Sequence, residues 1–298
     1  MAMAPFVPFP KVSWKIVTLF IDHPSSQLSF SDVVRLSSAG PTNAQKALAT
    51  LQAEGLLNLH KERNRTLYQL ELRNFLVHSL LILRGWQRVN QFPPHSRRGI
   101  TTIIQKLAAS GVTAIYLFGS ALRSSRPQDI DLGIIYQHDQ EKVKQIWLQT
   151  IRDFGENIEA HFFPEEEFIA AVGEGDYALT STLWPCLVLY DRYFLYEYLG
   201  KILLPSKKVL LRRIQELEEK ITLAYQLYRQ KKQETADIVQ AQFDNFLRLY
   251  IASQQQIPGP KHDLPSQAKG LGLQFKKRKL WDTLEWMSST IRQIKTTI

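Results

Sequence analysis

The sequence predicts an α+β protein of several domains, because three stretches of its 298 residues have different patterns. The first stretch reads as helices followed by a β-hairpin, the second alternates helices with strands, and the third is almost entirely helical. The net charge divides in the same way: +5 for residues 1–90, −5 for residues 91–200 and +9 for residues 201–298. We expect three domains with these boundaries. The basic ends indicate binding to polyanions, and the acidic middle indicates carboxylates that bind cations. The alternative is that these are ordinary surface charges.

The N-terminal stretch begins with helical spacing in "SWKIVTLFID" and continues with a short helix, "SDVVRLSS", that Ser29 and Ser31 can cap. The next helix, "TNAQKALATLQAEG", has Thr42 as its candidate N-cap and Gly55 at its end. "LLNLHKERNRTLYQLEL" then predicts two strands around a polar turn. This order over roughly residues 11–73 resembles the winged helix-turn-helix DNA-binding family.

The resemblance implies a recognition helix and a wing that contact double-stranded DNA. The implied base-reading residues lie at the start of the helix and are Thr42, Asn43, Gln45 and Lys46. The implied phosphate or minor-groove contacts lie at the wing tip and are Lys61, Arg63 and Arg65. Winged helices also serve as protein-interaction modules, and in that case these residues are solvated surface.

A long apolar-rich helix, "NFLVHSLLILRGWQRVNQ", follows the hairpin and either pairs two chains or packs between domains. The paired prolines of "QFPPHS" then predict a linker and a domain boundary, because proline disfavours helix at the preceding residue.

The middle stretch predicts a small mixed sheet with helices on it. The predicted strands are "VTAIYLF", "DIDLGIIY", "NIEAHFF" and a short edge strand, "CLVLYD". The predicted helices are "GITTIIQKLAAS", "EKVKQIWLQTIRDF" and "EEEFIAAVG".

Two carboxylates, Asp129 and Asp131, stand one residue apart at the start of a predicted buried strand. Side chains two apart on a strand share a face, so the charges repel each other unless a cation lies between them. Mg²⁺ takes such carboxylates together with substrate phosphates. The alternative is a solvated strand start. Gly119 and Ser120 end the preceding strand, in a turn where backbone N–H groups can approach an anion such as a triphosphate.

"LFGSALRSSRPQDIDLGII" resembles the signature of the polymerase-beta-like nucleotidyltransferase superfamily, over about residues 97–195. The resemblance implies that Asp129 and Asp131 bind Mg²⁺, with two ions expected, and that Glu159 on a following strand completes the site or acts as base. Gly119 and Ser120 would hold the nucleotide phosphates, and Arg123 would neutralise triphosphate charge. We expect His161, two residues after Glu159, to be a neutral neighbour and not a ligand.

The C-terminal stretch predicts bundle helices separated by a loop, "IPGPKHDLP". "IASQQQIPGPKHDLPSQAKGLG" resembles the inter-helix loop of HEPN-type bundles, but the Arg and His pair of the ribonuclease members is missing. We therefore expect a packing or acceptor-binding role, in which the basic run Lys276–Lys279 contacts phosphate or is solvated surface.

Two classes of function remain. The first is a Mg²⁺-dependent nucleotidyltransferase that transfers a nucleoside monophosphate from a nucleoside triphosphate, such as ATP, to a hydroxyl of a protein, RNA or small molecule, with a toxin–antitoxin-like or regulatory role. The second is a winged-helix regulator whose transferase fold senses nucleotide. A winged helix argues against an antibiotic-modifying transferase. The single cysteine, Cys186, and the lack of a membrane-spanning stretch predict a cytoplasmic protein, with a homodimer as one option.

Overall fold

The structure is a computed structural model, and it describes residues 9–62, 65–127, 129–154, 157–183, 185–199, 203–230, 234–259, 261–274 and 280–298. The chain divides into two compact units. The first contains Met1–Ile169 and Thr182–Lys201, and the second contains Ala170–Ser181 and Ile202–Ile298. The mixed α+β composition agrees with the predicted class. The three-domain division stays a prediction.

The N-terminal part has the order of elements that the sequence predicts. Its helices are α1 (Lys11–Ile21), α2 (Phe30–Ser37) and α3 (Pro41–Ala53). Its strands are β1 (Leu28–Ser29), β2 (Leu57–Glu62) and β3 (Arg65–Leu70), which form an antiparallel sheet in the order β1-β3-β2. Assignment of this part to the winged-helix family stays a prediction.

The caps of these helices follow local chemistry. Ser29 caps α2 through a capping box in which its side chain accepts from the Asp32 N–H and Asp32 accepts from the Ser29 N–H. The expected cap of α3 is wrong: Gly40 is the N-cap and Pro41 is the first helical residue. The fixed φ of proline suits that first position, so the helix begins before Thr42.

The central part contains a four-stranded mixed sheet in the order β6-β5-β4-β7, in which β5 and β6 are parallel and the other pairs are antiparallel. Its strands are β4 (Val112–Phe118), β5 (Ile130–Tyr136), β6 (Ile158–Pro164) and β7 (Leu187–Asp191). The helices of residues 75–199 are α4 (Phe75–Val89), α5 (Pro94–Ala108), α6 (Gln140–Phe154), α7 (Glu165–Gly173), α8 (Tyr177–Leu183) and α9 (Tyr196–Leu199). The predicted small mixed sheet and its edge strand β7 are present.

The predicted linker at residues 91–96 is shorter than expected. Pro93 is the N-cap of α5 and Pro94 is its first residue, so half of the proposed linker begins a helix. Proline has no backbone N–H to donate, and the first turn of a helix does not need one. Paired prolines can therefore mark the start of a helix as well as a break in one.

Helix α4 packs against strand β7. A side chain at Gly85 would lie 2.0 Å from the carbonyl oxygen of Val188, so only glycine permits this approach. The Trp86 indole N–H donates to the carbonyl oxygen of Leu189 at 3.1 Å. Of the two roles predicted for this helix, the structure shows packing within the chain.

The second unit is helical and has its own buried core. Its long helices are α10 (Lys207–Arg229), α11 (Glu234–Ser253) and α13 (Leu280–Thr297), with α12 (Leu264–Gly270) between the last two. Helix α12 begins inside the predicted loop, at the Leu-Pro pair that supplies its first turn. The basic run Lys276–Lys279 lies outside the described residues. Within the described chain, none of the helices has the length and apolar character needed to cross a bilayer.

Candidate active site

The turn after β4 brings the backbone against the first carboxylate of β5. Gly119 has φ +73°, a left-handed conformation, and begins a 3₁₀ turn, Gly119–Leu122. A Cβ at this position would lie 2.0 Å from the Oδ2 atom of Asp131. Both the dihedral angle and the space require glycine, so the turn and Asp131 are in direct contact.

Ser120 connects the same turn to the second carboxylate. Its hydroxyl donates to the Oδ1 atom of Asp129 at 2.8 Å. Asp129 lies one residue before β5 and not in the strand. The expectation that both aspartates belong to the strand is therefore wrong for Asp129, which the hydrogen bond from Ser120 holds beside the turn.

Glu159 and His161 lie on the strand next to Asp131. The parallel register of β5 and β6 pairs Asp131 with Glu159 and Gly133 with His161. One potential ligand atom from each of Asp131, Glu159 and His161 lies within 4.8 Å of the other two. Two carboxylates and an imidazole at this separation form a group that can hold a divalent cation. The sequence predicted the two carboxylates but assigned His161 only a neighbouring role.

The electrostatics of the group favour a bound cation. Burial, followed by the negative charges of Asp129 and Glu159, raises the pKa of Asp131 from 3.8 to about 6. Partial loss of solvation lowers the pKa of His161, against an opposing effect of Glu159. A carboxylate whose negative charge is unfavourable and an imidazole that is neutral are both typical of a cation site without its ion.

The residues predicted for DNA binding and the arginine predicted for nucleotide binding are exposed wherever the structure describes them. Arg123 is exposed at the end of the turn, where its backbone N–H donates to the carbonyl oxygen of Ser120. The predicted DNA-contact residues that the structure describes are all exposed, and they are Thr42, Asn43, Gln45, Lys46, Lys61 and Arg65. Arg63 lies outside the described residues.

One contact made by the turn was not expected from the sequence. Arg88, on helix α4, donates from its Nε atom to the carbonyl oxygen of Ala121 at 2.8 Å. An arginine on an apolar-rich helix gives no signal of this contact, because the contact depends on how α4 packs against the sheet.

No protein-family model matches the chain, and no curated protein matches it. Among solved structures, the chain is similar to a spectinomycin adenyltransferase from Enterococcus faecialis, whose crystal structure contains ATP and spectinomycin. The two share 16% sequence identity and a TM-score of 0.40, and the match covers 70% of this chain and 99% of that chain.

Proposed function

We propose that the chain is a nucleotidyltransferase that uses a divalent cation to transfer a nucleoside monophosphate from a nucleoside triphosphate to an acceptor hydroxyl. The observation that carries the proposal is the contact between the turn at Gly119 and the Oδ2 atom of Asp131, with Asp129 bound to the same turn. A surface for phosphate and a group of cation ligands are thereby combined in one site.

The residues present fit Mg²⁺. Asp131 and Glu159 offer hard oxygen ligands, and Asp129 lies close enough to raise the pKa of Asp131. A bound Mg²⁺ would neutralise phosphate charge and make the α-phosphorus more electrophilic. The number of ions stays a prediction.

The chain's own residues have three roles in the proposed reaction. Gly119 and Ser120 position the triphosphate, because a glycine backbone can approach a phosphate closely. The acceptor hydroxyl oxygen attacks the α-phosphorus, the bond from that phosphorus to the bridging oxygen breaks, and pyrophosphate leaves. Glu159 is the proposed base that takes the hydroxyl proton. The acceptor hydroxyl belongs to a protein, an RNA or a small molecule.

The test is incubation with each labelled nucleoside triphosphate and Mg²⁺ in a cell extract. We expect the wild type to transfer label and Asp129→Asn and Asp131→Asn to lose most of that transfer. Asp237→Asn, an exposed aspartate in α11, is the matched control and should keep full activity. Absence of label transfer by the wild type from every nucleotide, or full activity of Asp131→Asn, would refute the proposal.

A second candidate function is a DNA-binding regulator that senses nucleotide. It is favoured by the exposed polar residues Thr42, Asn43, Gln45 and Lys46 at the start of α3, whose opposite face is buried. Two results together would favour this function. The wild type would select specific double-stranded DNA sequences and Asn43→Ala would not, and the wild type would bind nucleotide without transferring it.

A further inference from the structure

The group formed by Asp131, Glu159 and His161 carries negative charge that the surrounding side chains do not offset. The parallel register sets Asp131 directly opposite Glu159 on β5 and β6. Like charges on paired strands destabilise a sheet. Within the described part of the chain, neither carboxylate takes part in an ion pair or accepts a hydrogen bond. A cation bound between the two carboxylates would remove this repulsion.

His161 offers this group a ligand atom of a different chemistry. Glu159 and His161 are two residues apart on β6, so their side chains lie on the same face of the sheet as that of Asp131. The His161 ring meets the Phe118 ring edge-on, with the ring centroids 5.1 Å apart. Neither imidazole nitrogen has a hydrogen-bond partner among the described residues. The aromatic contact therefore orients the ring, and a nitrogen remains available to a cation.

The spacing of the three ligand atoms suits a single ion. These atoms lie within 4.8 Å of one another. Atoms that are each about 2.0–2.2 Å from one ion are themselves about 3–4 Å apart. The three side chains are exposed or half-buried, so small rotations about their χ angles can close the difference. Each carboxylate contributes one oxygen, which leaves the second oxygen of Glu159 for its proposed role as base.

The ligand set differs from a site made of carboxylates alone. Among the described residues, the group with this spacing contains His161 and does not contain Asp129. The Oδ1 atom of Asp129 accepts the Ser120 hydroxyl at 2.8 Å. The three ligands that the fold brings together are therefore two oxygens and one nitrogen. This composition matters because oxygen and nitrogen ligands favour different cations.

We propose that His161 is a metal ligand and that the group selects a first-row transition-metal cation over Mg²⁺. Mg²⁺ fits the two carboxylates, but it is a hard cation that gains little from a nitrogen ligand. Imidazole nitrogen binds first-row transition metals well, and Mn²⁺ is the weakest binder in that series, so Mn²⁺ is the most demanding probe. The role of this cation in catalysis rests on the proposed transfer reaction, but its binding does not.

The first experiment measures the binding of Mn²⁺ and of Mg²⁺ separately by calorimetry, without nucleotide. We expect the wild type to bind Mn²⁺ at least about tenfold more tightly than Mg²⁺. Loss of a residue that only supports a metal ligand costs about tenfold or more in affinity, so His161→Gln should weaken Mn²⁺ binding by at least that factor. Mg²⁺ binding should weaken about threefold at most, because its ligands are oxygens. Damage to the fold would weaken the binding of both cations.

Pulsed electron paramagnetic resonance identifies the ligand directly, because nitrogen hyperfine coupling to bound Mn²⁺ reports an imidazole on the ion. We expect this coupling in the wild type and its loss in His161→Gln. His138→Gln makes the same change at an exposed histidine that follows β5, and it should keep both the coupling and the Mn²⁺ affinity. Absence of Mn²⁺ binding or of the coupling in the wild type overturns the proposal. Unchanged Mn²⁺ affinity in His161→Gln, or equal losses for the two cations, overturns it as well.

The second experiment asks which cation supports the proposed transfer. Transfer of label from a nucleoside triphosphate in a metal-depleted cell extract is titrated with Mn²⁺ and, separately, with Mg²⁺. We expect half-maximal transfer at an at least about tenfold lower concentration of Mn²⁺, and His161→Gln should raise the Mn²⁺ requirement about tenfold or more. Equal requirements for the two cations, or a Mn²⁺ requirement that His161→Gln does not change, overturn the selection while the transferase function stands. Nitrogen coupling without transfer in the presence of either cation refutes the transferase function and retains the metal site.

Discussion

Replacement of Asp131 by asparagine should stabilise the cation-free protein while it removes activity. The pKa of Asp131 rises from 3.8 to about 6 in the folded chain, so the folded state holds its charged carboxylate less favourably than the unfolded state does. A rise of this size corresponds to about 3 kcal/mol at neutral pH. Because the side chain is only partly buried, water screens its interactions, and we expect a gain of about 1–2 kcal/mol.

The dependence of stability on pH tests separately whether the Asp131 charge destabilises the folded state. The unfavourable contribution is complete above the folded-state pKa of about 6 and absent below the unfolded-state value of 3.8. Urea unfolding in EDTA should therefore show Asp131→Asn to be more stable than the wild type at pH 7.5, with the difference largely gone at pH 4. Asp237→Asn should not differ from the wild type at either pH. A variant less stable than the wild type at pH 7.5, or a difference that does not change with pH, refutes the reasoning.

The remaining predictions concern the turn, the cation and one helix cap. Gly119→Ala should destabilise the protein by at least about 1 kcal/mol and displace Asp131, because the backbone is left-handed and a Cβ would clash with Asp131. Unchanged urea unfolding would contradict this prediction. Ser120→Ala should lower label transfer about tenfold or more with little change in unfolding, since it releases Asp129. Mg²⁺ at five times its Kd should add about 1 kcal/mol to wild-type stability and much less to Asp131→Asn. Ser29→Ala should cost about 1 kcal/mol in urea unfolding and leave transfer unchanged, because it removes the capping box of α2.

The sequence predicted the parts of the fold that depend on local patterns. Strand β4 is a continuous apolar run and was predicted with its observed limits, and β5, which is apolar apart from Asp131, was predicted one residue too long, at Asp129. Helices α10 and α11 follow helical spacing in the same way. The start of α5 and the presence of α12 were missed, because a Pro-rich stretch indicates a loop and a helix start equally well.

The candidate site was predictable only in part. Gly119, Ser120 and the two aspartates form a local motif, and a local motif can be read from the sequence. His161 belongs to the group because β5 and β6 are parallel and Asp131 lies opposite Glu159. The sequence alone does not predict this register. Arg88 reaches the carbonyl oxygen of Ala121 across 33 positions of the chain, and such a contact follows from tertiary packing alone.

Helix α4 connects the N-terminal part of the chain to the candidate site through its contacts with β7 and the turn. Strand β7 is at the edge of the sheet, and the helix covers it where Val188 and Leu189 present carbonyl oxygens. His78 Nε2 lies 3.1 Å from a buried oxygen of Asp191 at the end of the same strand. An uncovered edge strand is exposed to pairing with other chains, so this helix protects the sheet as well as holding Arg88. We infer that α4 contributes to the stability of the sheet that carries the candidate site, because a chain that begins after residue 90 would lose these contacts, the Arg88 hydrogen bond and the cover of the edge strand together.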